Sequence, residues 1–249
     1  MKKPSASTIL PTVFAEYQPI IDLSRNRMVG CEALARWTPK GKEPISIGNV
    51  IHDIESDEKH AMDLTRRMLT CIRNDLEPLL ATHPHFCVHV NIPPIVIGSS
   101  GVASLLEEAD LAAYHSQLVG EITERQALDD LGRSAIHMAR DELGMKVAID
   151  DFGTGQSGLE QLIGLEVDIL KIDQTFIELI GKDEAAERLV RAITALATVL
   201  DNEVIAEGVE TSAQATFLRE IGVTRGQGWL WSKAIGPLEL ETWLEAASV

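Results

Sequence analysis

Short apolar runs rich in β-branched residues alternate with amphipathic stretches along almost the whole chain. The runs predict strands, whereas apolar residues at helical spacing, such as Met62, Met68 and Ile72, predict helices. A polar turn at 24–27 joins the first two strands and predicts a hairpin. The predicted strands cover 17–23, 28–37, 86–91, 118–123, 147–150, 167–171 and 203–206, with an eighth near Gln227. Helices are predicted around 62–72, 103–113, 127–143, 159–164, 185–200, 212–221 and 238–247.

The order of these elements predicts an α/β fold. From the second strand onward strands alternate with helices, and eight strands in 249 residues indicate a closed, modified TIM (β/α)8 barrel. The opening hairpin is the irregular part, because its first strand must run antiparallel to its partner. No linker or change in composition divides the chain, so we expect one domain at 14–249 after an N-terminal extension at 1–13.

Acidic residues outnumber basic ones, with 38 Asp and Glu against 22 Lys and Arg and a formal charge of −16. Such a charge disfavours binding to DNA or RNA polymers and to anionic membranes. It is compatible with a small phosphate substrate if divalent cations lie between protein and phosphate. Three cysteines without paired spacing suggest no disulfide, and every apolar run is far shorter than the roughly 20 residues of a membrane span. We therefore expect a cytoplasmic protein, or the cytoplasmic domain of a longer one, whose own chain makes no membrane contact.

Nearly every predicted strand ends near a side chain that can bind a cation or a substrate. Because the carboxyl ends of barrel strands meet at one face, we expect these side chains to converge. A single acidic residue after a strand is more often a helix cap or a solvated carboxylate, but suitable groups on seven strands are hard to ascribe to chance. The residues are Glu32, Asn91, Glu121 with Glu124 beyond it, Asp150 and Asp151, Lys171, Glu207 and Gln227.

Clustered carboxylates repel one another unless cations neutralise them. Hard oxygen donors, with no histidines in paired metal-ligand spacing, favour Mg²⁺ or Mn²⁺ over zinc. Asp150 is placed to bridge two ions while Asp151 binds the second. Lys171 is either a counter-ion for the acids or a group that holds or activates a water. Two metals beside a positioned water form the arrangement that hydrolyses phosphodiesters by in-line displacement.

Aromatic residues and one histidine near the same face have competing interpretations. Trp229 and Trp231 either stack on a base or pack at the barrel mouth. His89 lies in a strand two residues before Asn91, and we expect it to be a packed barrel residue and not a metal ligand.

The residues at the strand ends also carry a family resemblance. Glu32-Ala33-Leu34, followed by Ala35-Arg36-Trp37, resembles the signature of bacterial EAL domains, the cyclic di-GMP phosphodiesterases. Other blocks of that family occur in the same order between about residues 14 and 246. They are Tyr17-Gln-Pro-Ile, Val90-Asn91, Glu121-Ile-Thr-Glu124, Asp150-Asp-Phe-Gly-Thr-Gly155, Lys171-Ile-Asp173, Ala206-Glu-Gly-Val-Glu210 and Gln227-Gly.

The resemblance implies metal-dependent hydrolysis of cyclic di-GMP to linear 5′-pGpG by two-metal-assisted attack of water. By this resemblance, the first metal would be bound by Glu32, Asn91, Glu121 and Asp150. Asp150 would bridge to a second metal, completed by Asp151 and Glu207. The catalytic residues would be Glu32, Glu207, Lys171, which contacts the attacking water, and Gln227, which supports the water or the substrate.

The resemblance also assigns residues that bind the substrate and hold the loops. Gln18, Leu34 and Arg36 would contact cyclic di-GMP, with Arg36 at a phosphate. Glu124 would anchor the loop after the strand that ends at Asp150. Glu210 would brace the loop after the strand that ends at Ala206.

Three departures from the family pattern leave every proposed metal ligand in place. The loop that usually reads Gly-Tyr-Ser-Ser-Leu is Gly155-Gln156-Ser157-Gly158-Leu159, Ile92-Pro-Pro stands where a serine is usual, and Ala234 replaces a proline. The first departure bears on loop motion and on the size of the activity. Family dimers commonly form through the helical region after this loop, so the resemblance predicts a homodimer that uses 158–166.

Three functions compete for this sequence. The leading one is a cyclic di-GMP phosphodiesterase that uses two Mg²⁺ or Mn²⁺ ions and that Ca²⁺ inhibits, because the looser shell of Ca²⁺ misplaces the nucleophile. The alternative from another class is a catalytically silent EAL-type module that binds cyclic di-GMP or a protein partner. Silent members are expected to lack ligand-type residues, whereas this chain has them all. A different metal-dependent barrel enzyme, such as one that abstracts a proton beside a carboxylate, is the third.

Overall fold

The computed structural model describes residues 5–98, 101–127, 129–154 and 166–246. The strands are β1 (Phe14–Asp22), β2 (Arg27–Trp37), β3 (Ile45–Ser46), β4 (Cys87–Asn91), β5 (Leu118–Thr123), β6 (Lys146–Phe152), β7 (Ile169–Ile172), β8 (Glu203–Ala206) and β9 (Arg225–Gly226). The helices are α1 (Ala6–Ile9), α2 (Gly48–Glu55), α3 (Glu58–Thr82), α4 (Pro94–Gly98), α5 (Gly101–Glu108), α6 (Glu124–Ala127), α7 (Asp130–His137), α8 (Gln174–Ile177), α9 (Glu184–Val199), α10 (Ser212–Glu220) and α11 (Pro237–Ala246).

Eight of the strands close into a barrel in the order β1-β9-β8-β7-β6-β5-β4-β2, and pairing of β1 with β2 completes the ring. β1 is antiparallel to both of its neighbours, whereas the other neighbouring pairs in the ring are parallel. The predicted TIM barrel with one antiparallel strand is therefore confirmed. The short strand β3 pairs with the end of β2 outside the ring. It was not predicted, because two residues are too few to show a strand pattern.

The barrel interior contains an apolar layer directly beneath the strand ends. The layer is formed by Ile20, Val119, Ala148, Ile169 and Ile205. Four of its members lie two residues before Glu121, Asp150, Lys171 and Glu207 on the same chain segments. Because side chains alternate along a strand, the apolar residue and the polar one two positions later face the same side. We call this layer the floor, because its five side chains lie one level below the polar residues at the strand ends.

Several helices differ in detail from the prediction. The helix expected at 127–143 is divided into α6, α7 and a π-helical segment, Met138–Glu142. The Asp129 carboxylate accepts a hydrogen bond from the Gly132 amide and caps α7 as a separate helix. Within 5–13, Ile9, Leu10 and Val13 are buried in the main core, and the domain boundary at residue 14 stays a prediction. The helix expected at 159–164 lies outside the described residues.

Across the described ranges, no helix combines the length and apolar character that a membrane span requires.

Candidate active site

Lys171 lies at the centre of an acidic cluster at the carboxyl ends of the barrel strands. Its side chain is fully buried on β7, where alternation points it into the barrel. The Lys171 Nζ atom lies 2.7 Å from Glu207 Oε1, 2.9 Å from Glu121 Oε1, 3.0 Å from Asp150 Oδ1 and 3.4 Å from Glu32 Oε2. The structure thus brings four predicted carboxylates, from four different strands or strand ends, around one ammonium group.

The acids carry more charge than Lys171 can balance. Burial, together with the neighbouring carboxylates, raises the pKa of Glu121 and of Glu207, although Lys171 opposes both shifts. Burial, Asp150 and Asp173 raise the pKa of Asp151 to about 6. Although burial alone would lower the pKa of Lys171, the surrounding carboxylates raise it well above its usual range, so the lysine is charged. The cluster is therefore short of positive charge.

A bulge in β6 turns two consecutive aspartates toward one cavity. Neighbouring strand residues normally point to opposite faces. The pairing of β6 with β7 shifts between Ile149 and Phe152, and Asp151 has a positive φ of 56°. Carboxylate oxygens of Asp150, Asp151 and Glu207 consequently lie within 4.8 Å of one another. This is a spacing at which three carboxylates can share cations.

Amide side chains connect the antiparallel strand to the acids. Gln18 lies opposite Glu32 in the β1–β2 register. Gln227 Nε2 donates to Glu32 Oε2 at 2.7 Å and to Gln18 Oε1 at 2.9 Å. A Cβ on Gly228 would lie 2.2 Å from the Val209 carbonyl oxygen, so the chain after Gln227 can approach the β8 loop only with glycine there. Asn91 Nδ2 is 3.4 Å from Glu32 Oε1, at the edge of the cluster.

Two cavities are lined by residues of the cluster or its edge. The acidic cavity has a volume of about 330 Å³, and its lining includes Gln18, Glu32, Asp150, Asp151, Glu207 and Gln227. The second cavity has a volume of about 200 Å³, and its lining includes Leu34, Arg36 and Asn91. Leu34 and Arg36 therefore line a different cavity from the one lined by most of the acidic residues. The Arg36 Nε atom donates to Glu16 Oε2 at 2.8 Å, an ion pair that the sequence did not reveal.

The two predicted loop-holding residues differ in their surroundings. Glu124 is buried, and its Oε2 accepts a hydrogen bond from the Gly153 amide at 2.9 Å, just beyond β6. Glu210 is exposed at the rim of the acidic cavity. Gln214 also holds the loop after β8: its Oε1 accepts from the Glu210 amide and its Nε2 donates to the Ile177 carbonyl. The Thr211-x-x-Gln214 capping box was the sequence signal for this residue. The bracing role of Glu210 stays a prediction.

Residues outside the predicted set complete the surroundings. His89 is fully buried, and its Nδ1 lies 2.8 Å from Glu121 Oε1. Burial and the charge of Lys171 lower the pKa of His89 well below its usual range, so the ring is neutral. Trp229 is 63% exposed on the lining of the acidic cavity, with Lys233 Nζ 4.7 Å from its ring centroid. Trp231 instead packs against the core and donates to Asn26 Oδ1 at 3.3 Å.

The fold and the site define an α/β-barrel protein with a lysine-centred acidic site at its strand ends. The EAL domain family model matches residues 10–234. This chain belongs to the EAL domain family.

The matches to known relatives cover at least 90% of this chain. The chain is 32% identical over 237 residues to the probable cyclic di-GMP phosphodiesterase PdeB of Escherichia coli, covering 94% of this chain and 45% of PdeB. It therefore spans less than half the length of that curated relative. Among solved structures, a c-di-GMP complex of PaMucR phosphodiesterase matches with a TM-score of 0.82 and 29% sequence identity. The match covers 92% of this chain and 94% of that chain. A manganese/cy-diGMP complex of Klebsiella pneumoniae BlrP1 has a TM-score of 0.76 with 26% identity, 90% coverage of this chain and 56% of that chain.

Proposed function

We propose that this chain is a metal-dependent phosphodiesterase that hydrolyses cyclic di-GMP to linear 5′-pGpG. The observation that carries the proposal is the convergence of four carboxylates on Lys171, with Asp151 beside them. Membership of the EAL domain family and the named activity of its relatives support the same reaction.

The donor set fits two hard divalent cations. The cluster contains five carboxylates and one ammonium group, an excess of four negative charges that two divalent cations would balance. All of these donors are oxygens, which favours Mg²⁺ or Mn²⁺. Glu32, Asn91, Glu121 and Asp150 would hold one ion, and Asp150, Asp151 and Glu207 the other. When bound, such ions polarise a phosphodiester and activate water for in-line displacement.

The chain's own residues provide position and charge. Lys171 holds the acids together and presents its ammonium group near the site of attack. The Gln227 amide fixes one oxygen of Glu32 and leaves Glu32 Oε1 toward Asn91. Arg36, which lines the same cavity as Leu34, offers its guanidinium to a phosphate, while Gln18 reaches the substrate from β1.

A catalytically silent receptor is the alternative, and three variants separate it from the enzyme. Glu32→Ala removes a proposed ligand and should lower turnover by about a hundredfold or more. Lys171→Ala should abolish hydrolysis but leave the carboxylates in place, so it should still bind cyclic di-GMP in the presence of Ca²⁺. Arg36→Ala should weaken nucleotide binding itself.

The experiment measures turnover and nucleotide affinity for each variant, after circular dichroism has shown that it is folded. Arg66→Ala is the matched control for Arg36→Ala, because Arg66 also forms ion pairs, with Asp63 and Glu108, but lies away from the site on α3. If the wild-type protein binds cyclic di-GMP but does not cleave it in the presence of any divalent metal, the receptor function is correct. Normal turnover by Glu32→Ala would show that the assignment of the site is wrong.

A further inference from the structure

The apolar floor beneath the acidic cluster has a polar neighbour on β4. His89 precedes Asn91 by two residues, as the floor residues precede the site residues on their strands. It lies opposite Val119, a member of the floor, in the β4–β5 register. The side chain of His89 is 0% exposed. A polar ring is therefore buried at a level of the barrel that β1, β5, β6, β7 and β8 fill with apolar side chains.

The ring contacts one of the proposed metal ligands. His89 Nδ1 lies 2.8 Å from Glu121 Oε1, and both side chains are completely buried. A carboxylate that binds a metal ion is ionised and only accepts hydrogen bonds, so with Glu121 as a ligand the proton of this contact belongs to Nδ1. Lys171 Nζ lies 2.9 Å from each of the two Glu121 oxygens. Two donors, one from β4 and one from β7, thus fix the rotation of the Glu121 carboxylate.

The other ring nitrogen of His89, Nε2, shows that packing alone does not explain a histidine at this position. Within the described ranges, His89 Nε2 is buried and has no protein hydrogen-bond partner. A buried polar atom without a partner lowers stability, and an apolar side chain would avoid that cost. Packing of the floor therefore gives no reason for a histidine, whereas its bond to Glu121 does.

We propose that His89 is a positioning residue that holds the Glu121 carboxylate in the orientation in which it binds the first metal ion. The proposal rests on the proposed function, because it takes Glu121 to be a metal ligand. Ligating carboxylates are commonly oriented by such outer hydrogen bonds, and loss of one typically weakens metal binding about 10- to 100-fold.

The test compares the dissociation constant for Mn²⁺, measured by calorimetry without nucleotide, among four variants. His89→Leu removes the donor and should raise this constant about 10- to 100-fold. His89→Asn places an amide N–H near the position of Nδ1 and should restore tight binding, whereas the longer His89→Gln should not. Val119→Ala is the matched control, because it creates a cavity in the same floor without touching the bond. It should lower the melting temperature and leave the Mn²⁺ constant unchanged.

Turnover gives a second readout. His89→Leu should need more Mg²⁺ for half-maximal turnover while keeping most of kcat at saturating Mg²⁺. If wild-type protein and His89→Leu bind Mn²⁺ equally, the inference is overturned while the proposed function stands. Should His89→Leu fail to fold, equal Mn²⁺ constants for His89→Asn and His89→Gln would overturn it instead. A wild-type protein that binds no divalent metal would overturn the proposed function and this inference together.

Discussion

Replacement of Lys171 by methionine should destabilise the metal-free protein strongly and the metal-loaded protein much less. Lys171→Met keeps the length of the side chain but removes the ammonium group. Four carboxylates within 2.7 to 3.4 Å of Nζ then lose their shared counter-ion in a buried site. Divalent cations bound by the same acids would supply the missing charge. The stability loss is therefore expected to depend on metal.

The size of the effect follows from the burial of the cluster. Removing one partner from a buried ion pair costs about 3–5 kcal/mol. For a chain of this size, 1 kcal/mol shifts the melting temperature by about 2–4 °C. Lys171→Met should therefore melt roughly 6–20 °C below the wild-type protein in EDTA. With saturating Mn²⁺ the difference should shrink by at least about half, because bound cations stabilise the folded state that holds them.

Differential scanning calorimetry in EDTA and in Mn²⁺ measures both differences. Lys146→Met is the matched control, because Lys146 is 40% exposed and lies 3.5 Å from the carboxylate of Glu203. Loss of such an exposed pair costs at most about 1 kcal/mol. A Lys171→Met protein that melts within about 2 °C of the wild type in EDTA would show that Lys171 is not needed to neutralise the buried acids. A deficit that Mn²⁺ leaves unchanged would show that bound cations do not supply the missing charge.

Three further predictions concern the substrate, the metal and the assembly. Trp229→Ala should raise KM for cyclic di-GMP about tenfold with little change in kcat, because an aromatic ring at the cavity rim can stack on a base. The KM of Trp229→Phe should lie nearer that of the wild type. Equal KM values for Trp229→Ala and the wild type in steady-state kinetics would exclude stacking. Ca²⁺ added to the Mg²⁺-activated protein should inhibit product formation, since its looser coordination misplaces the nucleophile, and undiminished rates would contradict this. Light scattering at tens of micromolar protein should show a homodimer. A fully active monomer would contradict the proposed use of 158–166, most of which lies outside the described residues.

The sequence predicted those features that depend on position along single strands. Barrel strands place their last residues at one face, so Glu121, Lys171 and Glu207 could be expected together without knowledge of the structure. The antiparallel first strand followed from the short turn at 24–27.

Features that depend on the pairing between strands could not be predicted from the positions of residues along single strands. The bulge that turns Asp151 toward Asp150 appears only in the register of β6 with β7. The ion pair of Arg36 with Glu16 depends on which residues of β1 and β2 lie opposite each other, and the turn alone did not determine this register. His89 was expected to be a packed barrel residue, and it is buried, but its bond to Glu121 depends on a neighbouring strand.

The proposed reaction is hydrolysis of a cyclic dinucleotide at the acidic cluster with the help of divalent metal ions. The most direct measurement incubates the purified chain with cyclic di-GMP and either Mg²⁺, Mn²⁺ or excess EDTA, and separates the nucleotides by chromatography. We expect conversion to 5′-pGpG with Mg²⁺ or Mn²⁺, no conversion in EDTA, and recovery when metal is restored. Full conversion in EDTA, or intact cyclic di-GMP with both metals, would show that the proposed reaction is wrong.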